Sequence, residues 1–296
     1  MADPLVSIGL PTYNGAPYLA AAIQSILQQT YPNIEILLCD DDSRDDTWEI
    51  VTQCRDPRLQ PIRNAARKGL VGNWNACLAR AHGSFFTLMH QDDLMHAENI
   101  ARKVAFLTEN PTVGFVHSDI HRIDSDGNIS GGHWLPHAQG TSDTVWESAR
   151  WIPALLRVGN FVCMPSVLAR RELLTEIGAF EPTLPFTPDV EMWLRLAQRA
   201  PVGYLAEPLL SYRRHEAQET QKFGNGREVW EFGRAVRCFL QKVNPPESRE
   251  WESVARAGLA KWAFDMAKWR AKQKNIRASV GYSRVVAYLR WRGLPK

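Results

Sequence analysis

Two adjacent carboxylates, Asp92 and Asp93, close the apolar run in FFTLMHQDDLM, Phe85–Met95. A run of that composition reads as a buried strand, which puts both acids at its carboxyl end. There they could bind Mg²⁺ or Mn²⁺, hard cations that take oxygen ligands and keep positions for water or phosphate. The competing reading is a helix cap for the segment around Ala97–Leu107, although a cap needs only one acid.

Three more polar clusters follow apolar runs: PTYN after Leu5–Leu10, DDDS after Ile34–Cys39, and RRH after LLSY. Asp40 leaves its run directly and would face a ligand, whereas Asp41 and Asp42 suit an Asx turn or a helix start equally well. Tyr13 suits an aromatic platform for a base or simple core packing. Arg67 and Lys68 suit phosphate contact or solvated surface charge. Asp189 and Glu191 fall in the first turn of an expected helix, whose N-terminus favours their ionised form, the form a general base requires. His215 could complete a carboxylate metal site or stand as a surface histidine at a strand end.

The elements that must position these residues alternate. Strands are expected at Leu5–Leu10, Ile34–Cys39, Leu59–Arg63 and Ser84–His90. Helices are expected over Pro17–Gln29, after a Ser43/Asp46 capping box carrying Trp48 and Val51, and around Leu70, Trp74 and Leu78 up to Gly83. Ile100, Val104 and Leu107 mark a further helix, and VGFVHSDIHRIDSDGNIS reads as two strands about a turn at Asp126-Gly127. A loop, GGHWLPHAQGTSD, reads as a lid or binding loop. Helix, strand and helix follow in ALLRVGNFVCMPSVLARRELLTEIGAF, then a helix from Pro188 and a last strand in LLSYRRH. Strands alternating with helices of this length predict an α/β fold, with a mainly parallel sheet covered on both faces and ligands gathered beyond the strands' carboxyl ends.

Composition bounds the rest. The chain has 296 residues, 45% hydrophobic and 23% charged, enough for a sizeable core. Five scattered cysteines without C-x-x-C spacing point to reduced thiols rather than disulfides or zinc. The amino-terminal stretch has no signal-peptide pattern, and no run suits a membrane span, so a cytoplasmic location is expected. The net charge of +3 hides a split, because Met266–Lys296 carries nine Lys or Arg and no acid.

In order and spacing, these stretches resemble glycosyltransferase family 2. GLPTYN…ILQQTYPNIEILLCDDDS matches the family's opening strand, P-T-Y-N and helix ending in Q-T-Y-P-N-x-E. RNAARKGLVGNWNACLARAHGSFFTLMHQDD resembles its central stretch, GAFEPTLPFTPDVEMWLRL its G-x-F…[ED]-x-[DE]-x-W-x-R stretch, and YRRH its closing Y-R-x-H. The resemblance implies the GT-A fold, Rossmann-like with a mainly parallel central sheet, and an inverting nucleotide-diphosphosugar transferase that uses Mn²⁺ or Mg²⁺. By position it implies that Pro11 and Tyr13 line the base pocket and that Asp40 reads a base edge. Arg67 would sit near the diphosphate or base, Asp92 on the metal, and Asp93 beside the ribose or sugar. Asp189 would be the catalytic base, Glu191 a supporting or acceptor-side residue, and His215 a late contact to metal or phosphate. A uridine diphosphate hexose is the expected donor, with a deoxythymidine diphosphate sugar as rival. The expected acceptor is a saccharide or lipid-linked hydroxyl in cell-surface polysaccharide or glycolipid synthesis.

Three positions depart from the pattern: His90 replaces the first acid of D-x-D, Asp42 stands where Gly or Asn is usual, and Pro188 replaces a frequent acid. The domain reading is residues 1–222 for the catalytic part, with a nucleotide-sugar half to about 118 and an acceptor half from about 119. Residues 223–296 form a basic, Trp-rich helical extension. The extension suits an anionic membrane surface through 266–296, or packing on the body or a second subunit as a homo-oligomer. No nucleic-acid module is present. Two rival classes remain: a scaffold protein that kept the fold and lost catalysis, which His90 favours, and a dinucleotide oxidoreductase, which the missing G-x-G-x-x-G disfavours.

Overall fold

The computed structural model describes residues 3–132, 140–219 and 225–296. Residues 133–139 of the expected binding loop, and 220–224 at the expected boundary, lie outside the described residues. The chain divides into two compact units, each assembled from three stretches. One takes Met1–Trp146, Val162–Phe180 and Arg199–Arg214; the other takes Glu147–Phe161, Glu181–Gln198 and His215–Lys296.

The first unit holds the sheet. Its strands are β1 (Val6–Thr12), β2 (Ile34–Asp40), β3 (Leu59–Arg63), β4 (Phe85–Leu88), β5 (Leu94–Met95), β6 (Phe115–Ile123), β7 (Ile129–Gly131), β8 (Thr144–Trp146), β9 (Val167–Arg170) and β10 (Val202–Arg213). They run in the order β3-β2-β1-β4-β9-β6-β10-β5, with β7 on β6 and β8 on β10. The four longest pairings, β1 with β2 and β4, β2 with β3, and β6 with β10, are parallel. β9 enters antiparallel between β4 and β6. The short β5 and β8 were not visible as sequence patterns, because two or three residues carry no period.

Alternation along β1 explains the two covered faces. Val6, Ile8 and Leu10 point into a core with Ile34, Ile36 and Leu38 of β2, with Leu19, Ile23 and Ile26 of α1 (Ala16–Leu27), and with Val51 of α2 (Thr47–Gln53). Ser7 and Gly9 point the other way, toward α3 (Gly69–Leu78). Gly9 lets that helix come close, since a Cβ there would stand 2.8 Å from the Cys77 Cβ. On α4 (Asn99–Glu109), Ile100, Val104 and Leu107 reach the same core as β1's apolar residues. The expected capping box does not form, since the Ser43 hydroxyl serves Asp40. The Asp45 carboxylate takes the Thr47 N–H at 3.1 Å instead. Nor does Asp93 cap α4, because β5 intervenes and the helix starts at Asn99.

The second unit is helical: α5 (Ser148–Val158), most of α7 (Pro188–Arg199), α8 (Arg227–Val243), α9 (Ser248–Lys272) and α10 (Ile276–Arg292), while α6 (Arg171–Ile177) belongs to the first unit. Gly258 allows α9 to cross the end of α5, where a Cβ would come within 2.6 Å of the Leu156 carbonyl oxygen.

One buried charge carries a measurable consequence. Lys103 on α4 is 1% exposed and donates to Asn99 Oδ1 at 2.9 Å. Burial pushes its ammonium down from 10.5 to about 7, with the Cys163 thiol opposing. The unfolded chain holds that proton to higher pH, so stability rises as pH climbs from about 7 toward 10.5, and the full penalty applies below about 7. Lys103→Met is expected to stabilise the protein by about 1–3 kcal/mol at neutral pH, with the gain shrinking toward pH 10 in urea denaturation.

Candidate active site

Parallel pairing brings the loops after β1, β2 and β3 to one edge of the sheet, with Thr12 beside Asp40 and Asp40 beside Arg63. Pro11 is the partly exposed penultimate residue of β1. Asp40 is fully buried, and its carboxylate accepts from the Ser43 hydroxyl, from Ser43 N at 3.3 Å and from Thr12 Oγ1 at 3.5 Å. Arg63 Nε lies 3.3 Å away. Its immediate role is therefore to hold the loop ends. Asp41 reaches further, accepting from Lys68 N and Gly69 N, both at 2.8 Å, and so fixes the start of α3. Asp42 has φ +61°, which explains why Gly or Asn is usual there and why Asp is tolerated.

Buried amides tie these ends together. Asn73 of α3 donates to the Cys39 carbonyl at 2.8 Å and the Thr12 carbonyl at 3.4 Å, and accepts from Asn64 Nδ2 at 3.0 Å. Gln91 clamps the loop after β1 through both ends of its side chain. Tyr13 N donates to Gln91 Oε1 at 2.9 Å, and Gln91 Nε2 donates to the Tyr13 carbonyl at 3.1 Å. The Tyr13 ring carries the Arg67 guanidinium at 3.9 Å from its centroid. Two residues placed by sequence thus meet as a stacked pair beside the HQDD segment.

His90, Asp92 and Asp93 offer three ligand atoms within 4.8 Å of one another, the one such cluster among the described residues. Ligands about 2.1 Å from a common divalent ion span nearly that distance, so only small side-chain adjustment is needed. The His90 ring stacks on Trp74 at 5.6 Å and places Nδ1 3.5 Å from Asp93 Oδ2. Asp93 is wholly buried. Burial, and next the charge on Asp92, push its carboxyl up to about 6 against the opposing pull of His90 and the Arg213 N–H. A buried carboxylate short of positive charge, with two more donors beside it, fits a divalent cation.

Arg213, the last residue of β10, locks this corner and was not singled out in the sequence. Its N–H donates to Asp93 Oδ1 at 2.8 Å, and its guanidinium donates to the carbonyls of Asp92 at 2.8 Å, Asp124 at 3.1 Å and Ser125 at 3.0 Å. The signal was present in YRRH, whose first arginine leaves the strand beside the acids. Asn73 and Gln91 gave only polar letters within an apolar setting.

Asp189, Glu191 and His215 belong to the second unit. Asp189 stands in the first turn of α7 and accepts from Asn160 Nδ2 at 3.1 Å. Glu191 is fully buried and taken up by Arg195, 2.8 Å from Nη2, and by Lys242 Nζ at 3.3 Å. The His215 N–H donates to Gln218 Oε1 at 3.3 Å.

Comparison with known proteins agrees on the type of molecule. The sequence matches the glycosyl transferase family 2 model over residues 7–171. It is 38% identical over 127 residues to the Escherichia coli UDP-Glc:alpha-D-GlcNAc-diphosphoundecaprenol beta-1,3-glucosyltransferase WfaP, a match covering 43% of this chain and 50% of that one. A second E. coli enzyme of the same description, WfgD, is 35% identical over 129 residues, covering 44% and 51%. The chain thus spans about half the length of these relatives. Among solved structures, S. aureus TarS 1-349 in complex with UDP superposes with a TM-score of 0.64 at 17% identity, covering 96% of this chain and 91% of that one. Mannosyltransferase PcManGT from Pyrobaculum calidifontis, in complex with GDP-Man and Mn²⁺, gives 0.61 at 17%, covering 98% and 88%. At that identity the likeness concerns the fold, which is GT-A.

Removing the Arg213 guanidinium takes a charged donor from the partly buried carbonyls of Asp92, Asp124 and Ser125, of which Asp124 keeps the Gly127 N–H. Arg213→Met is expected to cost about 2–4 kcal/mol in denaturant unfolding, and Arg213→Lys to recover only part of it, since one ammonium cannot span all three.

Proposed function

The chain belongs to glycosyltransferase family 2, and from that premise we propose that it transfers a hexose from a uridine diphosphate donor to a hydroxyl of a lipid-linked saccharide, with inversion. The observation that carries the donor half is the His90–Asp92–Asp93 cluster next to the Tyr13–Arg67 stack at the carboxyl ends of parallel strands. The choice of uridine and of a lipid-linked acceptor rests on the names of the two E. coli relatives.

In this reading Pro11 and Tyr13 line the base pocket, Asp40 stiffens its floor and takes part in base recognition, and Arg67 lies along the base or diphosphate. Asp92 leads the metal-binding group, with His90 and Asp93 as neighbours and His215 as a later contact. A bound Mn²⁺ or Mg²⁺ supplies charge neutralisation for the departing diphosphate. Asp189 accepts the proton of the acceptor hydroxyl while its oxygen forms the new bond to the anomeric carbon and the bond to the nucleoside diphosphate breaks. The position of Asp189 at a helix N-terminus supports an ionised carboxylate there. Glu191, held by Arg195, supports the same turn from behind.

Calorimetric titration with UDP, dTDP and GDP, with and without Mn²⁺, is expected to give metal-dependent binding of UDP that Asp92→Ala abolishes. Failure of all three nucleotides to bind would move the reading to a scaffold that kept the fold. Asp189→Asn is expected to bind UDP as the parent does and to lose at least about 100-fold in transfer rate.

A further inference from the structure

The aromatic residues of the C-terminal helices fall into two sets. Trp262 packs edge-on to Phe232, Tyr288 lies 4.5 Å from Trp230, and Trp251 stacks on Phe239, so these build the helical unit's own core. The second set faces outward. Phe264 is 45% exposed, Trp269 48%, Ile276 65%, Val280 45% and Trp291 84%. These are most of the exposed large hydrophobics among the described residues.

Their arrangement is regular. On α10, Ile276, Val280, Ala287 and Trp291 recur at helical spacing along one exposed stripe, with Arg284 inside it and Arg277 and Arg290 at its margins. The opposite stripe, Ala278, Tyr282, Val285, Val286 and Leu289, is buried. On α9 the cations lie over the exposed rings, Lys268 Nζ at 4.2 Å from the Phe264 centroid and the Arg270 guanidinium at 4.6 Å from Trp269. The last acid of the chain is Asp265, and Lys261 neutralises it at 2.6 Å.

An outward row of Ile, Val and Trp would ordinarily be hidden against protein, and its flanks would then carry both charge signs. Here every charged residue of α10 is positive, and the acid that approaches its end beside Gly293 is Glu252 of α9. That combination suits an interface that is apolar at depth and negative at its surface. Arginine and lysine stems can lie along the acyl boundary while their heads reach lipid phosphates. We propose that the exposed stripe of α10, centred on Val280, Arg284 and Trp291, docks in the plane of a bilayer containing anionic phospholipid. Ile276, Val280 and Trp291 would enter the headgroup–acyl boundary, with the arginines on phosphates. None of the described helices is long and apolar enough to cross a membrane, and this face needs none to do so. The proposal stands independently of the transferase reading, since none of these residues belongs to the donor site.

Co-sedimentation of the full chain tests it, using phosphatidylcholine vesicles with and without about one third phosphatidylglycerol. Binding to the anionic vesicles, reversed by raising salt, is expected, with little binding to the neutral ones. Arg277→Glu combined with Arg284→Glu should weaken it at least about tenfold, since each basic residue near the surface contributes about fivefold. Val280→Ser with Trp291→Ser should weaken it comparably at low salt, with thermal unfolding unchanged, and Trp291→Tyr should retain it. Equal binding to neutral and anionic vesicles, or no binding at low salt, would overturn the proposal. So would a concentration-dependent dimer in sedimentation velocity that Trp291→Ser abolishes, because the face would then join two copies of the chain.

Discussion

A carboxylate and a guanidinium withdrawn from water, Asp93 and Arg213, impose the tightest constraint on this molecule. Neither can be left without partners, because desolvating an unpaired charge costs far more than a loop can recover elsewhere. Arg213 meets the requirement by ending β10 where its N–H reaches Asp93 and its side chain reaches three main-chain carbonyls. The end of β10, the HQDD segment and the turn before β7 are thereby fixed together. Only with that corner rigid can His90 and Asp92 hold stable positions beside Asp93.

The ends of β1, β2 and β3 are tied by amides as well as by carboxylates. Buried Asn73 satisfies the Cys39 carbonyl near the end of β2, Asn64 donates to the Asn73 amide oxygen, and half-buried Gln91 satisfies the Tyr13 main chain. Asp41 fixes the start of α3 in the same way. The two devices divide the labour. Fixed amides hold the loop on which Tyr13 stacks with the Arg67 guanidinium, while the acid cluster is left short of positive charge. Family membership and the GT-A fold agree with this division. The replacement of a family acid by His90 leaves three donors in reach, so it is weak support for a scaffold that lost its chemistry.

The helical unit follows a different logic. Gly258 and the inward aromatic pairs let its helices approach closely. Buried Glu191 and Arg195 pair behind the first turn of α7, with the exposed Lys242 ammonium reaching Glu191 from outside. What is left on the outside is a cationic, aromatic face that the unit's own packing does not need.

By itself, the sequence determined the alternation of strands and helices, the polar residues that end each strand, and the charge split between body and tail. These depend on periodicity, turn chemistry and composition, all readable within a few residues. Tertiary structure alone decided that β9 runs antiparallel between β4 and β6, and that Ser43 serves Asp40 instead of a helix. It also decided which C-terminal aromatics face inward. The same holds for Arg213, whose bond to Asp93 joins residues 120 apart. No local pattern encodes such a contact; it exists because folding withdraws the Asp93 carboxylate and the Arg213 main-chain N–H from water at one point.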